Sequence, residues 1–271
     1  MIQTIRQSVK HSRLSREIIP QTFFMRFLDA IFDNQIHFVR QLILKGENLN
    51  MLYPSSDSEF DEIWPLHYAC HRNNFEIVKL LVENGADIDL HDDCHPAPLF
   101  YAIQNGNKRV AEYLLDRGAR CNIIDLEDTH LLYFALLTQE RGIFKLLLEH
   151  DANPSCVVGN RGNTILHEAV TTDPKCAKML LDHGSDINAQ NMYGRTPLNE
   201  ATDEGDLNVI KMLIERGASV TIPDYYGDTP MMNALSVRRT DVYKLLWKCE
   251  VWMLLLGMMP TELLRMLYEY V

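Results

Sequence analysis

The chain of 271 residues is 46% hydrophobic and sets 26 Lys and Arg against 37 Asp and Glu, a formal charge of −11. This is enough apolar material for one large domain or two ordinary ones. The acidic balance excludes charge-driven attraction to nucleic acid or to an anionic membrane, because no basic surplus exists to neutralise phosphates.

The N-terminal stretch "MIQTIRQSVKHSRLSR" carries Arg6, Lys10, Arg13 and Arg16 and no acid. Mitochondrial presequences have this composition, but so do solvated leaders, the simpler reading. Cys70, Cys94, Cys121, Cys156, Cys176 and Cys249 lack the close paired spacing of a disulfide scaffold or a zinc site. They read as reduced thiols of an intracellular protein, placed in the cytoplasm with the nucleus as the alternative. No apolar run approaches the roughly 20 residues that span a bilayer; the longest is Val251 to Met259.

Internal repetition sets the organisation. Six segments align, "WPLHYACHRNN", "APLFYAIQNGN", "HLLYFALLTQE", "TILHEAVTTDP", "TPLNEATDEGD" and "TPMMNALSVRR", and their alanines at 69, 102, 135, 169, 201 and 234 lie 32 to 34 residues apart. A second signal follows the first five, as in "VKLLVENGADID", and its turn residues Gly85, Gly118, Asp151, Gly184 and Gly217 hold an unbroken period of 33. An earlier copy, "VRQLILKGENLN", puts Gly46 39 residues before Gly85, and the acidic insertion "YPSSDSEFDE" accounts for the excess.

Each repeat predicts two helices. Thr followed by Pro opens the first, the hydroxyl capping free amides and the proline fitting the first turn. Apolar residues at helical spacing, such as Val78, Leu81 and Val82, mark the second. Glycine ends it in a left-handed turn. Asp151 stands in for glycine once and should cost about 1 kcal/mol there. In "TTDPKCAK", Asp173 caps and Pro174 starts a second helix. Between repeats, "DLED", "GNRG", "NMYG" and "DYYG" read as projecting hairpin tips.

The period of 33 with T-P-L-H and L-L-x-x-G-A resembles the ankyrin repeat over residues 24 to 250. The resemblance implies an all-α solenoid of paired antiparallel helices with short β-hairpin fingers, its repeats stabilised by stacking. The domains expected are a basic arm at 1–23, a degenerate first repeat with the acidic insertion at 24–61, six repeats at 62–94, 95–127, 128–161, 162–193, 194–226 and 227–250, and an apolar C-terminal helix at 251–271.

Chemistry is not expected. "HYACH" and "HDDCH" gather His67, Cys70 and His71, and His91 to His95, but the first lies on the repeat framework and the second on a hairpin tip, so no metal or cofactor is assigned. No G-x-S-x-G, P-loop or G-x-G-x-x-G appears, and carboxylates such as Asp203 and Glu204 read as a solvated surface turn. The chain reads as a binding protein, not an enzyme.

The resemblance implies partner binding by fingertips and by outward positions of each first helix, on a concave face. The fingertip residues are Leu126, Glu127, Asn160, Arg161, Met192, Tyr193, Tyr225 and Tyr226. The first-helix residues are His71, Arg72, Gln104, Asn105, Thr171, Thr172, Asp203 and Glu204. The three tyrosines are the first choices for binding, with packing on the adjacent finger as the competing role. Leu136 and Leu137 serve either a contact patch or tighter stacking. The partner expected is a protein.

The chain ends "VWMLLLGMMPTELLRMLYEYV", with Glu250 where a turn glycine is due. Three readings stand. A capping helix can fold over the last repeat. The stretch "MPTELLRMLYEYV" resembles the opening helix of an F-box, matched by Met259, Pro260, Glu262, Leu263, Leu267, Tyr270 and Val271. Ankyrin arrays with a shortened F-box are similar to the PRANC proteins of poxviruses. That likeness implies docking of Pro260, Glu262, Leu263, Leu267 and Tyr270 on the adaptor subunit of a cullin-type ubiquitin ligase. The third reading is a SOCS box, which Pro260, Leu263 and Leu267 fit.

Overall fold

The computed structural model describes residues 21–55, 59–124 and 129–256, with backbone only for 21–26 and 252–256. The chain forms two compact units, residues 1–90 and 91–271, so the expected repeat at 62–94 crosses the division between them.

Unit one begins with α1 (Gln21–Phe32) and α2 (Ile36–Leu44). The degenerate first repeat therefore opens at Gln21 rather than at residue 24. A two-residue antiparallel ladder, β1 (Tyr53–Pro54) on β2 (Glu62–Ile63), closes the acidic insertion, with Tyr53 opposite Ile63. Then come α3 (Pro65–His71) and α4 (Phe75–Glu83). Helix α3 stacks on α1, and α4 on α2. Phe27 meets Tyr53 edge-on at 5.3 Å between ring centres, both rings out of water.

The described residues of unit two form five helix pairs: α5 (Pro98–Gln104) with α6 (Lys108–Asp116), α7 (Leu131–Leu137) with α8 (Arg141–Glu149), α9 (Ile165–Thr172) with α10 (Pro174–Asp182), α11 (Pro197–Glu204) with α12 (Leu207–Glu215), and α13 (Pro230–Ser236) with α14 (Thr240–Leu256). A second ladder, β3 (Val157–Val158) on β4 (Asn163–Thr164), precedes α9. The first helices stack in the series α5, α7, α9, α11 and α13, and α6, α8 and α10 stack likewise. The fold is mostly helical, with short antiparallel strand pairs.

Local sequence explains these elements. Proline occupies the first turn of α3, α5, α10, α11 and α13, where its missing N–H has no bond to lose. The Thr229 hydroxyl accepts from the Met232 amide, and the Asp173 carboxylate from the Lys175 amide. Asp151 is left-handed at φ 63°, as its place in the glycine series requires. Left-handed residues also join the two helices of most pairs: Asn34, Asn73, Gly106, Gln139, Gly205 and Arg238. Only the glycines there suit that conformation without strain.

The last pair departs from the expected boundary at residue 250. Helix α14 runs unbroken from Thr240 to Leu256, because Glu250 supplies no left-handed stop. The basic arm at 1–20 and the tail at 257–271 lie outside the described residues. Among the described residues no helix is long and apolar enough to cross a membrane.

Candidate binding surface

The fingers of unit two are built by short polar residues that bond their own backbone. The Asn191 amide donates to the Arg195 carbonyl at 2.9 Å, and the Gly194 amide to the Asn191 carbonyl at 2.9 Å. The Asn191 side-chain oxygen accepts from the amides of Tyr193 (2.9 Å) and Arg195 (3.0 Å). Asp224 repeats this design one finger on, accepting from the amides of Tyr226 (2.9 Å) and Asp228 (3.0 Å). Such turns are the usual work of Asn and Asp.

The fingers are also bonded to each other. The Met192 amide donates to the Arg161 carbonyl at 3.1 Å, and the Tyr225 amide to the Tyr193 carbonyl at 2.9 Å. Asn191 donates to the Asn163 side-chain oxygen at 2.7 Å, and Asn163 to Glu168 at 2.8 Å. Three consecutive tips thus form one chained ledge. On it, Met192 is 53% exposed, Tyr193 40%, Tyr225 72% and Tyr226 80%. Tyr225 lies against Gly194, where a Cβ would come within 2.5 Å of its ring. Adjacent-finger packing therefore takes one edge of Tyr225 and leaves the rest in water.

Several sequence-expected residues are engaged in the fold. Asp203 is paired with Arg195, which also donates to Glu200 at 2.9 Å. Burial raises the Asp203 carboxyl above the ordinary range, and Glu200 and Glu204 add to this against the opposing pull of Arg195. Glu204 stays exposed. Arg72 sits 4.3 Å over the Phe32 ring, and His71 contacts Glu59 at 2.8 Å, both within unit one. Thr171 and Thr172 donate back to the Glu168 carbonyl. Gln104 and Asn105 face solvent, although Asn105 donates to the Tyr101 carbonyl at 3.0 Å. Arg161 is exposed. Leu136 is buried and Leu137 is 54% exposed, so the first stacks and the second faces water. Leu126, Glu127 and the tail residues Pro260, Glu262, Leu263, Leu267 and Tyr270 lie outside the described residues.

The histidine-rich stretches have structural partners. His67 Nε2 lies 2.8 Å from the Leu90 carbonyl, and Asp92 accepts from the amides of Cys94 and His95. Among the described residues no three His, Cys, Asp or Glu side chains converge as a metal site would need. All six cysteines are free thiols, and only Cys94 is exposed. Burial pushes the Cys156 thiol up to about 11 and the Cys176 thiol up to about 12, Asp173 adding to the second shift, so neither is an activated nucleophile.

Sequence reasoning missed the Arg195–Glu200–Asp203 cluster. Its signal was present: an arginine just before Thr196-Pro197, then carboxylates about one helical turn apart on the helix that follows.

Helix pairs with bonded fingers, repeated at this period, match an established family in sequence as well. A model for ankyrin repeats in three copies matches residues 27–125 and 124–191, and one for many copies matches residues 171–214. The chain belongs to the ankyrin-repeat family. Ankyrin repeats mediate protein–protein interaction, and domains built from them are typically non-enzymatic. The ankyrin domain of Bcl-3, a member of the IκB family, is similar at 26% identity and a TM-score of 0.66, over 80% of this chain and 97% of that one. An ankyrin domain from Acinetobacter baumannii is similar at 25% identity and a TM-score of 0.62, over 68% and 96%. A chain from the complex of a Bdellovibrio bacteriovorus predatory endopeptidase with an immunity protein is similar at 26% identity and a TM-score of 0.59, again over 68% and 96%. No curated protein matches the chain.

Proposed function

We propose that this ankyrin chain is a non-catalytic binding module whose protein partner lies across the ledge of Met192, Tyr193, Tyr225 and Tyr226. One observation carries the reading: four large side chains stand in water on backbone that is bonded finger to finger. Exposed apolar groups held rigid lose little entropy on binding, and tyrosine is enriched where interfaces draw their energy. The free thiols support a reducing compartment, the cytoplasm or the nucleus.

Affinity capture with the native chain and with Tyr225→Ala/Tyr226→Ala tests this. A partner held by the ledge should bind the variant at least about 30-fold more weakly, as truncated interface anchors do. Equal capture by both chains, with unchanged melting, removes the ledge from the interface.

The sequence of the tail supports a second role, as a substrate-recognition adaptor for a cullin-type ubiquitin ligase. Pro260, Glu262, Leu263, Leu267 and Tyr270 carry that likeness to an F-box helix, and such a helix docks by laying its apolar face in a groove. The pair to compare is the full chain and one ending at Leu256; a cut at Lys248 would sever α14 and remove the buried Cys249. Ligase subunits recovered with the full chain alone support the adaptor role. Their absence from both leaves a plain ankyrin scaffold or inhibitor.

A further inference from the structure

Unit one carries the insertion that breaks the repeat period, with 39 residues from Gly46 to Gly85 where the later turn residues keep 33. Its Glu59 and Phe60 fold back on α3. The Phe60 ring stands edge-on to the His71 ring at 5.1 Å between centres and to the Tyr68 ring at 6.4 Å. Beside it, a Glu59 carboxylate oxygen lies 2.8 Å from His71 Nε2. Later repeats carry Gln104, Leu137 and Thr171 in the register of His71, and all three face water. The His71 side chain is 18% exposed. A position left open in those repeats is filled here by the chain itself.

We infer that the outward face of α3 around Tyr68 and His71 is a docking site for an acidic segment bearing an aromatic ring, with Glu59 and Phe60 as its occupant in cis. The occupant shows the chemistry that the face accepts: a carboxylate against the imidazole and a phenyl ring against two aromatic rings. Charge agrees. In a chain of formal charge −11, His71 and Arg72 set two basic groups together at the end of α3, where an acidic segment is favoured over a basic one. The hold is also light enough to exchange. The Glu59 side chain is 60% exposed, so water screens its pairing with His71. The insertion is fixed instead at its base, by Tyr53 opposite Ile63, both 0% exposed, and by the Ser55 amide donating to the Asp61 carbonyl at 3.0 Å. Release of Glu59 and Phe60 leaves that buried base in place. Tethered there, the pair competes with a free segment at an effective concentration on the order of millimolar. The site lies in unit one and does not depend on the tyrosine ledge.

Titration of the full, isotope-labelled chain with a peptide of its own residues 53–63, read at the His71 ring resonances, tests this. Glu59→Gln/Phe60→Ser empties the face, so the peptide should half-saturate that variant at a concentration at least about tenfold lower than it does the native chain. Glu59→Gln alone removes one exposed charge and keeps the ring, and should give a gain of about threefold. The same peptide carrying both substitutions should bind none of the three chains. Equal half-saturation of the native chain and both variants overturns the inference. So does a peptide that leaves the His71 resonances of the double variant unmoved. The ledge is read by its own capture experiment, so either idea fails without the other.

Discussion

The Nε2 of His167 lies 2.9 Å from the carbonyl oxygen of Arg195, which ties the first helix of one repeat to the finger base of the next. Its Nδ1 meets the Thr164 amide at 3.1 Å. An amide can only donate, so Nδ1 accepts and Nε2 carries the proton that goes to Arg195. The neutral ring is thereby fixed in one tautomer, and a second proton would face an N–H.

A pH dependence follows. Burial, the largest influence, holds His167 below its ordinary 6.5. With the folded value depressed, the contribution to stability is whole above the unfolded value of about 6.5 and is lost as pH falls toward the folded one. Urea unfolding of the native chain should weaken between pH 7.5 and 5.5. His167→Asn should be about 1 kcal/mol less stable at pH 7.5 and show a shallower decline, because the titrating group has gone. An unchanged pH slope in the variant would assign the decline to other groups.

The next repeat offers the converse experiment. Asn199 takes the place of that histidine, and its side-chain oxygen accepts from the Thr196 amide at 2.8 Å, copying the Nδ1 contact. Its Nδ2 is buried without a partner. It makes no bond to the carbonyl of Asp228, the register equivalent of Arg195. Asn199→His should restore the donor and raise stability by about 1 kcal/mol at pH 7.5. A loss instead would mean that the site has closed around the smaller side chain.

The repeat was legible because stacking forces the same small and apolar residues to recur, as the alanine series and the glycine series do. The left-handed Asp151 was legible for the same reason: a period exposes a substitution. Helix α14 was not, since a missing glycine at residue 250 says that the turn fails but not that the helix continues. The role of Asp203 was hidden too. It looked like one of several surface carboxylates until Arg195, eight positions earlier, came to lie against it.

Strain at the turns joining helices gives another prediction. Gln139 and Arg238 are left-handed at φ 59° and 60°, where other repeats place Gly106 and Gly205. A side chain there costs about 1–2 kcal/mol, partly offset by the greater freedom of glycine in the unfolded chain. Gln139→Gly and Arg238→Gly should each raise the melting midpoint by about 2–4 °C. Lowered midpoints in both would show that these side chains make contacts worth more than the strain.

The chained ledge itself can be tested with two alanines. Gly194 and Gly227 hold the same place in successive fingers and are both left-handed, at φ +77° and +89°. A Cβ on Gly227 meets nothing within 4 Å, whereas one on Gly194 would stand 2.7 Å from the Tyr225 backbone nitrogen. Strain from the left-handed backbone is common to Gly194→Ala and Gly227→Ala, so it cancels between them. What remains is the overlap with Tyr225, and a backbone atom cannot rotate aside. Gly194→Ala should cost about 1–3 kcal/mol more than Gly227→Ala in urea unfolding, the usual price of overpacking. It should also speed exchange of the Tyr225 amide by breaking its bond to the Tyr193 carbonyl. Equal costs would mean that the fingers move independently, and the ledge would then lose the rigidity that favours binding there.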